Sequence, residues 1–334
     1  MQAIVHDEYG SPDDVLRLRE IEKPSIGDDE VLLRVRAASV HPDVWHVVTG
    51  RPYALRLMGA GLRRPKRRVP GTDAAGHVES VGSHVTRFRP GDEVFGETLR
   101  GHQWTHGGAF AEYAAVPQDA LAPKPKGVSF EQAAAVCTSG LIALNNLGRL
   151  EAGDSVLVNG AGGGVGSIAV QIAKARGAQV TGIDSARKLE MVRALGADRA
   201  IDCASVDFNR LEGRYDLILD VASNLSFAGC KRVLTAKGLY VLIGHDHYGA
   251  VGGRLLGSLP HFFGLLALAP FVRHLPKLSL EPPGRQASMS LLRDLLESGR
   301  LTPTIDRSYP LAEVAAALRH LRSGEARGKI VVTP

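Results

Sequence analysis

The stretch from Ser155 to Asp184, SVLVNGAGGGVGSIAVQIAKARGAQVTGID, leaves little freedom in how it folds. Val156-Leu157-Val158 is a short apolar run suited to a buried strand. A glycine-dense turn, Gly160 to Gly166, comes next. Val165, Ile168, Ala169, Ile172 and Ala173 then recur with the period of an amphipathic helix. Gly177 stands where a helix C-terminus favours a left-handed residue. A second strand, Gln179 to Ile183, ends on Asp184, completing the pattern of a nucleotide-binding βαβ unit. A diphosphate has to approach the backbone closely, and a Cβ in the turn obstructs it. Free N–H groups and the positive helix end then hold the anion. Gly163, Gly164, Val165 and Gly166 are therefore the expected cradle. The spacing is Ala161-x-Gly163-x-x-Gly166, with alanine where a first glycine usually stands.

A chain of 334 residues is long enough for two domains with separate cores. Its 44% hydrophobic and 22% charged content is that of an ordinary globular protein. The opening MQAIVHDEYG has no basic segment followed by an apolar core, and the most apolar run, Leu255 to Val272, is interrupted by Pro260, His261 and Pro270. No membrane partner and a cytoplasmic location are expected. Cys137, Cys203 and Cys230 are odd in number and widely spaced, and give no disulfide framework. The net charge of +5 includes the dense run Arg63-Arg64-Pro65-Lys66-Arg67-Arg68. No groove-reading motif or aromatic accompanies it, so it reads as a solvated loop and no nucleic-acid partner is expected.

Up to about residue 120 the pattern is β-rich, with strand candidates at 31–36, 75–81, 93–95 and 108–116. The proline-rich stretch 121–127 reads as a connector. Ser129 with Gln132 forms a capping box ahead of a helix from Ala133 to Leu147. Beyond Asp184, strands at 199–202, 215–221 and 239–243 alternate with helices at 187–196 and 225–234. That alternation argues a doubly wound parallel sheet with its ligand crevice at the strand C-termini, near Asp184, Val221 to Ser223 and Gly244. Gly249 to His274 reads either as a helix over the cleft or at a subunit contact, or as an ordinary buried helix. Further helices at 288–298 and 311–321, a short strand near Thr304 and a strand at 329–332 complete the chain.

The segments VPGTDAAGHVESVG (69–82), RPGDEVFG (89–96), GGAFAEYAAVP (107–117), NGAGGGVG (159–166), LGAD (195–198) and ARGKIVV (326–332) together resemble the medium-chain dehydrogenase/reductase superfamily. The resemblance is strongest to its zinc-independent quinone oxidoreductase-like branch. It implies an α/β architecture: a Rossmann-type doubly wound parallel sheet plus a β-rich GroES-like catalytic domain. The catalytic domain is then split, 1–125 with 275–334, around a dinucleotide-binding domain at 126–274. A homodimer is implied as well. Thr72 stands where zinc-dependent members carry histidine, and no cysteine precedes Cys137. His102-x-x-x-His106 lacks an evident third ligand, so no metal is expected.

A catalytic zinc would stabilise an alkoxide as a Lewis acid. Without one, acceptors that delocalise charge themselves are favoured, namely quinones and α,β-unsaturated carbonyls. Family members commonly show Asn-Pro-x-Asp at the nicotinamide end, and this chain has His41-Pro42-Asp43 in Ser39 to Trp45. His41 either donates to the developing anion or keeps only the positioning contacts of the asparagine. Trp45 and Tyr53 are candidate walls for a flat substrate, or simply packing. Ile142 replaces a frequent threonine, and Cys203 stands where relatives place a tyrosine beside the adenosine. Asp184 suits a ribose 2′-OH and hence NADH. Ser185, Arg187 and Lys188 follow in the segment where relatives contact a 2′-phosphate. NADPH is the expected cofactor, with NADH open because of Asp184. Val221, Ile243, Gly244 and Lys329 complete the expected cofactor set. The reading is an NADPH-dependent quinone or enone oxidoreductase. Its alternatives are a zinc-free alcohol dehydrogenase or carbonyl reductase, and a cofactor-binding protein with little catalysis.

Overall fold

Two large sheets and the small β1–β2 pair divide the strands, and one long helix joins the cores of the large sheets. The computed structural model describes residues 1–98, 107–205, 211, 213–244, 253–277 and 284–334. In chain order the strands are β1 Gln2–Val5, β2 Arg17–Glu20, β3 Glu30–Val40, β4 Asp73–Val81, β5 Glu93–Glu97, β6 Tyr113–Pro117 and β7 Leu121–Pro123. They continue as β8 Ser155–Asn159, β9 Gln179–Asp184, β10 Arg199–Asp202, β11 Tyr215–Asp220, β12 Leu234–Leu242, β13 Ile305–Pro310 and β14 Lys329–Thr333. The helices are α1 Pro12–Val15, α2 Pro42–Thr49, α3 Phe130–Leu147, α4 Gly164–Ala175, α5 Leu189–Ala194, α6 Phe227–Val233, α7 Gly253–Leu256, α8 Leu259–Leu268, α9 Arg285–Glu297 and α10 Val314–Arg322.

The nucleotide-type sheet runs β10-β9-β8-β11-β12, all parallel. Its order reverses between β8 and β11, and a crevice opens there at the strand C-termini. The second sheet runs β13-β14-β3-β4-β5-β7, with β6 also on β3. Its two ends come from opposite ends of the chain: β14 lies antiparallel to β3, with Ile330 opposite Val40.

Helix α3 starts at the Ser129–Gln132 capping box, with both reciprocal bonds present. Its small buried face, Ala133 to Cys137, lies in one cluster with Ala37, Ala75 and Phe95 of the mixed sheet and Val156 and Val158 of the parallel sheet. Alanines there let a helix approach two sheets at once, so the crevice has a rigid floor.

Several elements depart from the sequence pattern. Strand β12 begins at Leu234, because a register irregularity between Tyr215 and Leu217 lets β11 pair with it from that point. The helix expected to run to Leu234 accordingly stops at Val233. The β1–β2 pair and α2 carry no strong periodic signal and are seen only in the structure. The described part of the Gly249–His274 segment forms α7 and α8. Neither is an ordinary buried helix, since neither has a buried residue.

Candidate active site

A cleft of about 1120 Å³ follows the crevice from Asp184 past the glycine turn to His41 and Lys329. The turn glycines do different jobs. A Cβ on Gly166 would lie 2.0 Å from the Gly160 carbonyl, so this glycine lets α4 seat against the turn. A Cβ on Gly163 would meet only the Gly160 oxygen at 3.4 Å, and its φ of −87° is ordinary. Its bareness serves the cleft. The first helical bond here runs from Ser167 N to Gly163 O. The amides of Gly164, Val165 and Gly166 therefore lack an intrahelical acceptor, as at any helix start, and suit an anion.

Asp184 closes the turn from behind. One carboxylate oxygen accepts from Gly162 N at 2.7 Å, the other from Ser185 N at 2.8 Å, and Lys188 Nζ stands 3.8 Å away. Lys188 is buried and donates to Gly324 O, and burial lowers its pKa despite Asp184. At the next strand end, Asp220 accepts from Asn159, Ser223 N, Leu225 N and the Tyr240 hydroxyl. That network holds Ser223 at φ 55°, rare for a residue with a side chain. The Ser223 hydroxyl is buried without a hydrogen-bond partner and borders the cleft. An orphaned hydroxyl on a strained residue is what a site missing a polar ligand group would leave.

His41 is the N-cap of α2. Its Nδ1 accepts from Asp43 N at 3.4 Å and lies 3.3 Å from the Asp43 carboxylate, which leaves Nε2 as the other edge of the ring. Lys329 reaches in from β14, buried, donating to Ser139 Oγ at 3.1 Å and to the Val40 carbonyl, next to His41, at 3.3 Å. Gly328 N bonds Gly162 O at 2.9 Å, tying the mixed sheet to the cofactor turn.

This geometry has close relatives. Residues 27–126 match the family described as "Alcohol dehydrogenase GroES-like domain", and residues 195–332 the one described as "Zinc-binding dehydrogenase". Across its whole length the chain is 34% identical to the NADPH-dependent alkenal/one oxidoreductase, chloroplastic, of Arabidopsis thaliana, covering 80% of that protein. It is 32% identical to the 2-methylene-furan-3-one reductase of Solanum lycopersicum, again over all of this chain and 79% of the relative. The quinone oxidoreductase of Coxiella burnetii superposes with a TM-score of 0.82 at 27% identity, covering 100% of this chain and 99% of that one. The chain is a medium-chain dehydrogenase/reductase.

Like its superfamily relatives, this medium-chain reductase is an oxidoreductase. One of the two family descriptions names zinc. Among the described residues, no three His, Cys, Asp or Glu side chains gather where they could hold a metal. His102 and His106 lie outside the described residues.

Of the cofactor residues expected from sequence, Gly163, Gly164, Val165, Asp184, Lys188, Val221, Ile243, Gly244 and Lys329 border the cleft, as does His41. The others do not. Gly166 lies under the turn. Ser185 turns back to Asp184, and Arg187 pairs with Glu325 at 2.7 Å. Cys203 is exposed, touching Asp184 only through its backbone N–H. Trp45 is 4% exposed and belongs to the core of the mixed sheet, because it lies on the face of α2 opposite the cleft. Tyr53 sits outside the lining, with the Arg56 guanidinium over its ring. Sequence reasoning missed Arg322, at the end of α10, and Asn146, on α3, both on the cleft. The basic end of α10 was the available signal for Arg322.

A buried acid pair lies behind the medium-chain reductase cleft. Asp73 and Glu97 face each other across β4 and β5, and the Thr138 hydroxyl lies 2.5 Å from one carboxyl and 2.7 Å from the other. One hydroxyl proton cannot serve two carboxylates, so one acid must be protonated. Asp73 also has Ser39 Oγ at 2.6 Å, Thr138 N at 3.2 Å and Lys329 Nζ at 3.7 Å. Burial, and then Asp73, push Glu97 up to about 7 from its ordinary 4.5. The folded chain holds this proton where the unfolded chain has released it. The contribution is therefore complete below about pH 4.5 and is lost as pH rises through about 7, on the order of 3 kcal/mol in all. Urea midpoints measured across that window are expected to fall more steeply for the wild type than for Glu97→Gln. Parallel curves would refute the assignment.

Proposed function

We propose that this chain uses NADPH to reduce the conjugated double bond of an enone or a quinone, its split catalytic domain (1–125 and 275–334) closing on the 126–274 domain. The carrying observation is the single cleft that brings the bare Gly163 turn, the orphaned Ser223 hydroxyl, His41 and Lys329 into one line. It is also lined by Leu55, Met58, Ile142 and Phe262, apolar side chains that suit a flat conjugated molecule. The named activities of the Arabidopsis and Coxiella relatives support the reading.

When held by the α4 amides, NADPH would supply a hydride to the conjugated carbon of the substrate, and a proton from water would complete the gain of two hydrogens. The residues of this chain bind and orient. Amides at the start of α4 hold the diphosphate, and the Ser223 hydroxyl meets a polar group farther along. His41 Nε2 donates to the substrate oxygen, while Asp43 fixes the ring through Nδ1. Lys329 anchors the Val40 carbonyl and so acts as a positioning residue.

NADPH rather than NADH is supported by the occupancy of Asp184. Both of its oxygens already serve backbone amides, with Lys188 close by, so it is part of the turn rather than an open ribose acceptor. Arg322 supplies a cation on the same side.

The test is the loss of NADPH absorbance against enones and a quinone, with product mass recorded. A gain of two hydrogens is expected. Turnover confined to saturated ketones would overturn the reading. In the same assay His41→Asn should keep NADPH affinity and lower kcat about tenfold, less than complete removal of a donor because asparagine still donates. Unchanged kcat would reduce His41 to a cap.

A further inference from the structure

Helix α8, LPHFFGLLAL, is almost wholly apolar, yet no residue of it is buried. Phe262 and Phe263 are about half exposed, and Phe271 just beyond is 87% exposed. Leu255 of α7 is 68% exposed. The segment after α2 continues the face with Leu57 and Leu62, at 76% and 65%. The two stretches are joined, since Tyr53 N donates to Arg254 O at 2.9 Å and Met58 borders the same cleft mouth as Phe262. Apolar side chains this exposed and this close together are unusual on a monomer surface.

The basic run after Leu62 decides the occupant. Arg63, Arg64, Lys66, Arg67 and Arg68 are all exposed, and Lys66 N bonds Ala60 O, folding the run back against the apolar segment. Arg68 is paired with Asp7. A second copy docked on this face about a two-fold axis would bring two such basic runs together, which opposes pairing. An anionic lipid surface answers both features, accepting the aromatic and aliphatic side chains at its boundary and the cations at its headgroups. Helix α8 is too short to cross a bilayer, at about 15 Å, and no helix among the described residues is long and apolar enough to do so.

We propose that this face docks the protein peripherally on an anionic phospholipid bilayer. The sequence pattern leads to a solvated basic loop without a membrane partner. Only the fold sets that loop beside an exposed apolar helix.

Sedimentation of the whole chain with extruded vesicles tests this without any enzyme assay. Binding to phosphatidylcholine vesicles containing phosphatidylserine is expected, with little binding to phosphatidylcholine alone. Arg63→Glu with Arg64→Glu, and separately Leu255→Ser with Phe271→Ser, should each weaken that binding about tenfold or more. These positions lie outside the cleft, so melting temperature and NADPH binding should be retained and report intact folding. No binding to the anionic vesicles would overturn the proposal. So would equal binding of the charge-reversed variant, or a dimer that Leu255→Ser with Phe271→Ser dissociates while the wild type ignores vesicles.

Discussion

Valine in place of Gly163 is expected to raise the dissociation constant for NADPH roughly 1000-fold, about 4 kcal/mol, while the protein stays folded. The backbone there has an ordinary φ, and a Cβ meets nothing closer than 3.4 Å. The new side chain projects into the space through which a diphosphate must reach the α4 amides. Loss of an N-cap glycine costs the fold only about 1 kcal/mol. Gly166→Val should do the reverse, since its Cβ would stand 2.0 Å from the Gly160 oxygen and force the turn away from α4. Nucleotide titration beside thermal melts separates the two. Equal melting losses would show that both glycines serve only packing.

Lys329→Met is expected to cost about 3 to 5 kcal/mol of stability, the usual result of stripping a buried charge of its partner. Asp73 is fully buried, and Lys329 is its only cation within 4 Å among the described residues. Burial lowers the lysine pKa while Asp73 opposes that, so the aspartate supports the charged lysine. Adding Asp73→Asn should recover much of the loss, because the double variant leaves no carboxylate at position 73 facing the missing cation. Denaturant unfolding of the four proteins completes the cycle. Additive losses would mean that the 3.7 Å pair contributes nothing. The single variant should also lower kcat more than it raises KM, because the loosened atom is the carbonyl preceding His41.

The glycine turn was legible because its information is local: strand, turn, helix and acid lie within thirty residues of each other. Strand β11 was legible for the same reason. Direction was harder to read. Arg187 and Lys188 are adjacent, yet one faces Glu325 and solvent while the other is buried on the cleft. Trp45 and His46 are likewise neighbours on α2, but only His46 borders the cleft. A helix too short to establish a strong period does not announce its faces. Asp73, Glu97 and Thr138 share one hydroxyl proton across sequence gaps of 65 and 41 residues, and no spacing rule joins them. Burial of α8 was undecidable from composition, because an apolar helix reads alike whether covered or bare.

The antiparallel seat of β14 on β3 also has a consequence for how the molecule is made. Lys329 bonds the Val40 carbonyl across 289 residues of chain, so during synthesis β3 waits for its neighbour. At typical ribosomal speeds that delay is roughly 15 to 60 seconds. Throughout it, the Ala38–Val40 end of β3 lacks its neighbour on that edge, where β6 covers only Glu30–Arg34. The nascent chain therefore carries a short unpaired stretch at the end of β3 for most of its time on the ribosome, a place where a chaperone would help.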